Sequence, residues 1–486
     1  MSEGTTIRHA DGRVELREPD AVRGSRLYNE DLAPVPVGKR TWTTWDYAAL
    51  WISMAHCIPT YMMASALIDK GMSWWQALLT ILLGNLIVLA PILLNSHAGT
   101  KYGIPFPVFA RAAYGTAGSN LPALMRALIA CGWFGINALI GGLALQTFFV
   151  SIYPGWGTLG GTIHGFPATL WVSFLLFWGL NILVIYRGME LVRRLERFAA
   201  PFVLVMTAIL VVWAVRAADG LGPIMSRGSS LDAFFPVFIP ALTATIGFWS
   251  TLSLNMPDFT RYGRSQRQQA VGQVVALPST MTVFAAMGIM ITSATGIIYG
   301  APISDPIELG GKFDNRLIVG IAMFTVVIAT LAVNIAANVV SPANDFANAF
   351  PNKINFSRGG LITGVIGILM MPWELLENPG RYIDGWLLGY SGSLGSIAGV
   401  LIVDYWIIRR TELDLPSLYT ADGAYRYTNG WNIPAVAATL TGAGVALLGA
   451  FWSPMRPIYD WSWFVGFGLA GLIYWVMMQP SLPRGR

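Results

Sequence analysis

Trp133 and Asn137 stand four residues apart in one long apolar run, and Gly247, Phe248 and Trp249 follow one another in a second. Residues four apart on a helix share a face, so this indole and this carboxamide point the same way. An indole is a flat stacking surface. A primary amide offers one acceptor and two donors, which suits the alternating N–H and C=O edge of an imide or ureide. Asn334 and Asn338 form a second amide pair at the same spacing, and Ser53, His56 and Thr60 gather around Pro59 in a further run. His56 is the one ionisable group among them. Together these residues specify a site for a flat, neutral, amide-rich ring. Packing or a membrane-interface belt accounts for most of the 19 tryptophans, but Trp133 and Trp249 lie deep in their runs.

Bond-breaking chemistry has no such constellation. The four histidines, His9, His56, His97 and His164, are scattered, and no nucleophile–base pair or metal-ligand cluster stands at any spacing. The sequence therefore predicts no catalytic residues, no metal and no cofactor. Asp46, Asp258, Asp345 and Asp404 fall close to the ends of apolar runs, where solvation is cheap. No Lys or Arg is expected at a midplane, although a charged substrate usually leaves fixed counter-charges there.

The elements that must hold this site follow from composition. The 486 residues are 54% hydrophobic and only 12% charged, with mean hydropathy +0.55. Soluble proteins carry about 25% charged residues, and a bilayer core takes about 20 apolar residues per helix. The chain reads as an all-α polytopic membrane protein. Twelve spans are expected, near 44–68, 74–95, 119–150, 168–186, 189–217, 236–256, 270–297, 315–340, 358–376, 381–409, 432–452 and 460–479. The ends, 1–43 and 480–486, are polar tails, and nothing in the first forty residues resembles a cleavable signal. Cys57 and Cys131 both lie in apolar runs and suggest no disulfide. With twelve spans, 24 of the 31 Lys and Arg residues fall on the side of the termini and 7 on the other. The positive-inside rule then places both termini in the cytoplasm of a cell-membrane protein. It also explains the net charge of +5 without a nucleic-acid partner.

A shift of 192 residues lays the first five spans (44–217) on the next five (236–409) and leaves 432–479 as two extra helices. Because five is odd, the second copy must be inverted, the plan of many secondary transporters, whose substrate sits at broken helices near the midplane. Pro59 in span one frees carbonyls around residues 53–56, and Gly247 in span six falls at the equivalent place. Both are expected to mark breaks.

Several stretches carry a resemblance. Arg26-Leu-Tyr-Asn-Glu-Asp-Leu-Ala-Pro with Lys39-Arg-Thr-Trp is similar to the N-terminal tail of bacterial allantoin permeases. Gly99-Thr-Lys-Tyr-Gly-Ile-Pro-Phe-Pro-Val, Gly132-Trp-Phe-Gly-Ile-Asn137 and Asn255-Met-Pro-Asp-Phe-Thr-Arg-Tyr262 follow in order. Asn334-Ile-Ala-Ala-Asn338-Val-Val-Ser-Pro342 and Ala398-Gly-Val-Leu-Ile-Val-Asp-Tyr405 complete the set. In order and spacing the chain resembles the nucleobase–cation symporter family of nucleobase, hydantoin and allantoin permeases. The resemblance implies a LeuT-type five-plus-five inverted repeat plus two helices. It also implies a ring held between Trp133 and Trp249, with Asn137 and Asn338 on its polar edge and the backbone near Gly247 and Phe248 lining the site. Where many relatives carry Gln, Asn137 leaves about one methylene more room.

The same resemblance bears on the coupling ion. A sodium-coupled relative binds Na⁺ with backbone carbonyls at positions that look like Ser53, His56 and Ala329, and with two hydroxyls at positions matching Ala332 and Val333. Neither Ala332 nor Val333 has a side-chain oxygen, and a hard cation wants about six oxygens or more. Protons are therefore favoured over Na⁺, with His56 able to titrate in the accessible range or else to sit neutral against freed backbone. The expected function is a symporter that imports a neutral heterocycle such as uracil, allantoin or a hydantoin by alternating access. An amino-acid carrier on the same fold is the rival within transport, a membrane-embedded enzyme the rival outside it, and a channel fits a stacking site less well.

Overall fold

The computed structural model describes residues 5–221, 225–226, 228–376 and 382–479. Arg227, Arg381 and the 480–486 tail lie outside these residues. Among the described residues the secondary structure is helical, apart from two short two-stranded hairpins.

Span one is two helices, α1 (Thr44–Ala55) and α2 (Ile58–Asp69), bent by 56°. Thr43 and Asp46 form a capping box that starts α1. Pro59 sits in the first turn of α2, where its missing N–H costs nothing, so the break falls at His56–Cys57 and the proline starts the second half. Next come α3 (Trp74–Tyr102), α4 (Phe106–Tyr114), α5 (Asn120–Ile152), α6 (Ala168–Tyr186) and α7 (Met189–Ala217). The second repeat contains α8 (Phe235–Asn255), α9 (Gln266–Tyr299), α10 (Arg316–Asn338), α11 (Val340–Ala349), α12 (Phe356–Leu369) and α13 (Leu388–Ile402). Finally, α14 (Ile433–Phe451) and α15 (Ser462–Met478) pack on α13. A shift of 192 carries Trp74, the first residue of α3, onto Gln266, the first residue of α9.

Among the described residues nine helices are long and apolar enough to cross a membrane, or eleven when each bent pair is one span, and α12 is a shorter apolar helix. These numbers are consistent with twelve spans. The chain is a multi-pass membrane protein. In α5, α8 and the 385–408 segment 78% of the apolar window is buried, against 22% in α7, so the three form the centre. The periphery exposes Leu175, Leu176 and Leu183 of α6 and Val205, Ile209 and Val212 of α7, as a lipid-facing surface requires.

Three expectations are corrected. First, α8 runs unbroken through Gly247. A Cβ there would stand 3.0 Å from the Leu387 carbonyl and 3.1 Å from the Ser391 Cβ, so the glycine serves close packing of α8 on the 385–402 segment. Glycine permits a break but does not force one. Second, the four aspartates near span ends are buried and paired, not solvated. Asp46 takes Arg193 at 2.8 Å and Arg197 at 2.7 Å, and Asp404 takes Arg409 and the Tyr474 hydroxyl, both at 2.7 Å. Asp258 accepts the Phe106 N–H at 3.0 Å, and Asp345 accepts the Ser341 hydroxyl at 3.4 Å. Third, Arg40, Arg111 and Arg126, counted above with the topology-setting charges, are buried.

Arg40 shows why the N-terminal segment is folded. Its guanidinium donates to the Val35, Thr100, Lys101 and Val14 carbonyls, and burial lowers it to about 10, still charged at neutral pH. The same segment also reaches the second five spans: the Asp31 carboxylate accepts the Phe356 N–H at 2.7 Å, and Arg261 donates to the Asp31 carbonyl at 2.7 Å.

Candidate functional site

Trp133 and Asn137 lie at the middle of α5, which packs on α10, α6 and α12. Close approach at this level depends on Gly135, where a Cβ would stand 2.3 Å from the Gly367 carbonyl. Helix α8 brings Phe248 and Trp249 to the same place. Trp133 and Phe248 meet edge-to-face at 5.4 Å and 79°, and Phe248 and Trp249 at 4.8 Å and 89°. The two tryptophans expected to hold a ring are therefore brought together, with Phe248 between them in this structure. The Trp133 indole N–H donates to the Tyr390 hydroxyl at 3.2 Å, and Trp249 leans edge-on against Trp51 at 5.2 Å.

The amides are polarised by their own neighbours. Asn137 donates its Nδ2 to the Trp133 carbonyl one turn back at 3.0 Å, leaving its buried Oδ1 without a partner. Asn338 donates to Asn334 Oδ1 at 3.0 Å, Asn334 donates to Asn181 Oδ1 at 3.1 Å, and Asn181 donates to the Phe177 carbonyl at 2.9 Å. The chain of amides thus orients Asn338, using one of its two N–H donors. The unpartnered Asn137 Oδ1 acceptor and Trp249 Nε1 donor remain for a ligand. Buried polar groups are normally paired, so these are places a ligand would satisfy. Among the site-forming residues, Asn181, Tyr390 and Trp51 had not been singled out from sequence. Asn181 shares a face with nothing diagnostic in its own helix; only the amide chain reveals it.

The residues expected to serve a coupling ion include Ser53 and His56 at the break of span one. The Cys57 N–H donates to Ala55 at 3.1 Å, not to Ser53, so the Ser53 carbonyl loses its helical donor. The His56 ring is hydrogen-bonded to the Thr207 hydroxyl of α7, not to freed backbone, and meets Phe284 edge-on at 4.5 Å. His56, Ala329 and Thr330 line one apolar cavity of about 600 Å³ between α2, α7, α9 and α10. Ala332 and Val333 are buried in α10 and supply no oxygen. Thr330, two residues away, keeps a hydroxyl on the cavity.

Residues 34–466 match the family model described as a permease for cytosine/purines, uracil, thiamine and allantoin. The chain belongs to this nucleobase-cation-symport-1 family. It is 42% identical over 475 residues to the allantoin permease of Bacillus subtilis, covering 97% of this chain and 96% of that one. It is 38% identical to the purine-uracil permease of Arabidopsis thaliana, covering 93% of this chain and 78% of that one. The structure of Mhp1, a nucleobase-cation-symport-1 family transporter in a closed conformation with bromovinylhydantoin bound, superposes with a TM-score of 0.80 at 24% identity. That match covers 95% of this chain and 98% of that one. The resemblance seen in the sequence and the LeuT-type inverted-repeat fold are borne out. Family members are permeases, so this chain is a transporter and not an enzyme.

Proposed function

We propose that this permease is a symporter importing a neutral heterocycle of the uracil, allantoin or hydantoin type by alternating access, coupled to protons. The observation that carries the reading is the pairing of aromatic faces on Trp133, Phe248 and Trp249 with the unpartnered Asn137 Oδ1 acceptor and Trp249 Nε1 donor beside them. A ring entering here stacks after Phe248 yields, and its N–H groups meet Asn137 and Asn338. Gly247 lets α8 pack closely on the segment that carries Tyr390. The names of the Bacillus and Arabidopsis relatives support the substrate class. An amino-acid carrier fits less well, because none of these site residues is charged to hold an ammonium or carboxylate. Competition by amino acids against radiolabelled allantoin and uracil uptake separates the two. The charge asymmetry of the loops supports a cell-membrane protein with cytoplasmic termini.

The amides give a second test. Asn338→Ala removes the ligand's partner and strands Asn334 Oδ1, so allantoin or uracil binding should weaken by about 1–3 kcal/mol. Asn137→Gln keeps the amide and moves it, so it should change which ring is preferred more than it changes overall uptake. Identical ligand profiles for Asn137→Gln and Asn137→Leu would argue against hydrogen bonding there.

For the ion, replacing Na⁺ by choline in proteoliposomes should leave uptake unchanged, and dissipating the proton gradient should reduce it. Ala332 and Val333 withhold the two oxygens a sodium shell needs. Coupling between ion and substrate is reciprocal. Na⁺ that tightened substrate binding at constant pH, and substrate that tightened Na⁺, would reverse the assignment.

A further inference from the structure

Glu196 is a carboxylate that the heterocycle site does not use. It is 2% exposed and lies on α7, which packs against both α1 and α10. The Ser53 hydroxyl of α1 acts on its carboxyl without reaching hydrogen-bond geometry, and neither carboxyl oxygen has a hydrogen-bond partner. Ser53 is also the residue whose carbonyl loses its helical donor at the break. One acid therefore stands where α7 meets α1, beside the break of span one.

The charges around Glu196 are already committed or distant. On α1, Asp46 is held by Arg193 and Arg197, and Tyr47 is buried. On α7, Glu190 takes Arg194 at 3.0 Å. Helices α9 and α10 bring only Arg267, Tyr299 and Arg316, and α6 brings Tyr186 with Arg187 following it; all five are exposed. His56 faces the apolar cavity, whose lining includes neither Ser53 nor Glu196.

Building on the proton-coupled reading above, we propose that Glu196 carries the coupled proton. With the outer side open, the carboxylate takes a proton from outer water and forms an O–H bond, becoming a neutral acid that can hydrogen-bond the unpartnered Ser53 hydroxyl beside it. The neutral form can be enclosed, whereas a bare buried carboxylate is costly, so closure favours the protonated state. When the inner side opens, that O–H bond breaks, the proton passes to inner water and the carboxylate is restored. Asp46 cannot substitute, because Arg193 and Arg197 already occupy its carboxylate.

The test uses the full-length permease in proteoliposomes with an inside-alkaline gradient, radiolabelled allantoin as probe and uracil in a parallel arm. Glu196→Gln fixes the neutral form. It should bind the probe with an affinity that no longer changes with pH, and should lose gradient-driven accumulation by about tenfold or more, within the range of measured couplings. Glu196→Asp should retain part of the accumulation. Infrared titration of the purified protein, which needs no substrate and no transport, should show a protonated-carboxyl band in wild type that is absent from Glu196→Gln. Wild-type-like accumulation and pH dependence in Glu196→Gln, or an unchanged carboxyl band, would overturn the assignment to Glu196 alone. Wild type that ignores the proton gradient and follows Na⁺ would overturn the proton reading and this assignment together.

Discussion

Trp133→Ala and Trp249→Ala should each weaken heterocycle binding by about tenfold or more, measured by calorimetry with allantoin and uracil on detergent-purified protein. Base–aromatic stacking is worth about 1–3 kcal/mol per ring, and each 1.4 kcal/mol is about tenfold in affinity. The two positions differ in what else they lose. Trp133 donates to the Tyr390 hydroxyl at 3.2 Å, so Trp133→Phe keeps a stacking face but frees that hydroxyl. Trp249 has no partner for its indole nitrogen, so Trp249→Phe should leave the unliganded protein intact and reveal what the N–H gives the ligand. Phe248 meets both tryptophans edge-on, and Phe248→Ala removes the ring that separates them. Near-wild-type affinity in both alanine variants would move the site elsewhere.

The parts of the fold that sequence made legible are those set by long-range pattern. Apolar length and the 192-residue shift fixed the order of helices, because a bilayer leaves few alternatives to a helix of about 20 residues. Trp133 with Asn137, and Asn334 with Asn338, were legible because i,i+4 spacing on a helix puts pairs on one face. What spacing cannot reveal is a partner on another helix. Asn181 and Tyr390 join the site only through three-dimensional contact. Gly247 failed as a break for a related reason: a glycine tolerates both a kink and close packing, and the nearby Leu387 carbonyl decides between them. Glu196 was hidden inside Arg193-Arg194-Leu195-Glu196-Arg197. Such a run looks like a solvated helix end, yet Arg193 and Arg197 turn to Asp46 while Glu196 turns inward.

Arg126→Met should be the most destabilising single change considered, lowering stability by about 1–3 kcal/mol, the cost of leaving a buried group without its partner. Arg126 is fully buried near the start of α5 and donates to the Ala337 carbonyl, one residue before Asn338, at 2.9 Å. Asp345 and Asp258 are the carboxylates whose charge it feels most. Both are fully buried, and water cannot screen what remains when the guanidinium is gone. An exposed pair such as Arg8 with Glu412, 59% and 50% exposed, sets the contrast: such pairs are worth about 0–1 kcal/mol. Thermal unfolding in detergent should therefore separate Arg126→Met sharply from Arg8→Ala. Adding Asp345→Asn to Arg126→Met should restore part of the loss, because the second change removes a buried carboxyl that would otherwise face no guanidinium. That recovery measures the coupling directly, since contacting residues give non-additive effects of about 0.5–3 kcal/mol. If Arg126→Met unfolded no sooner than Arg8→Ala, or Asp345→Asn gave no recovery, the cluster would not be held by charge, and Arg126 would be only the topology-setting residue that its place in the sequence suggests.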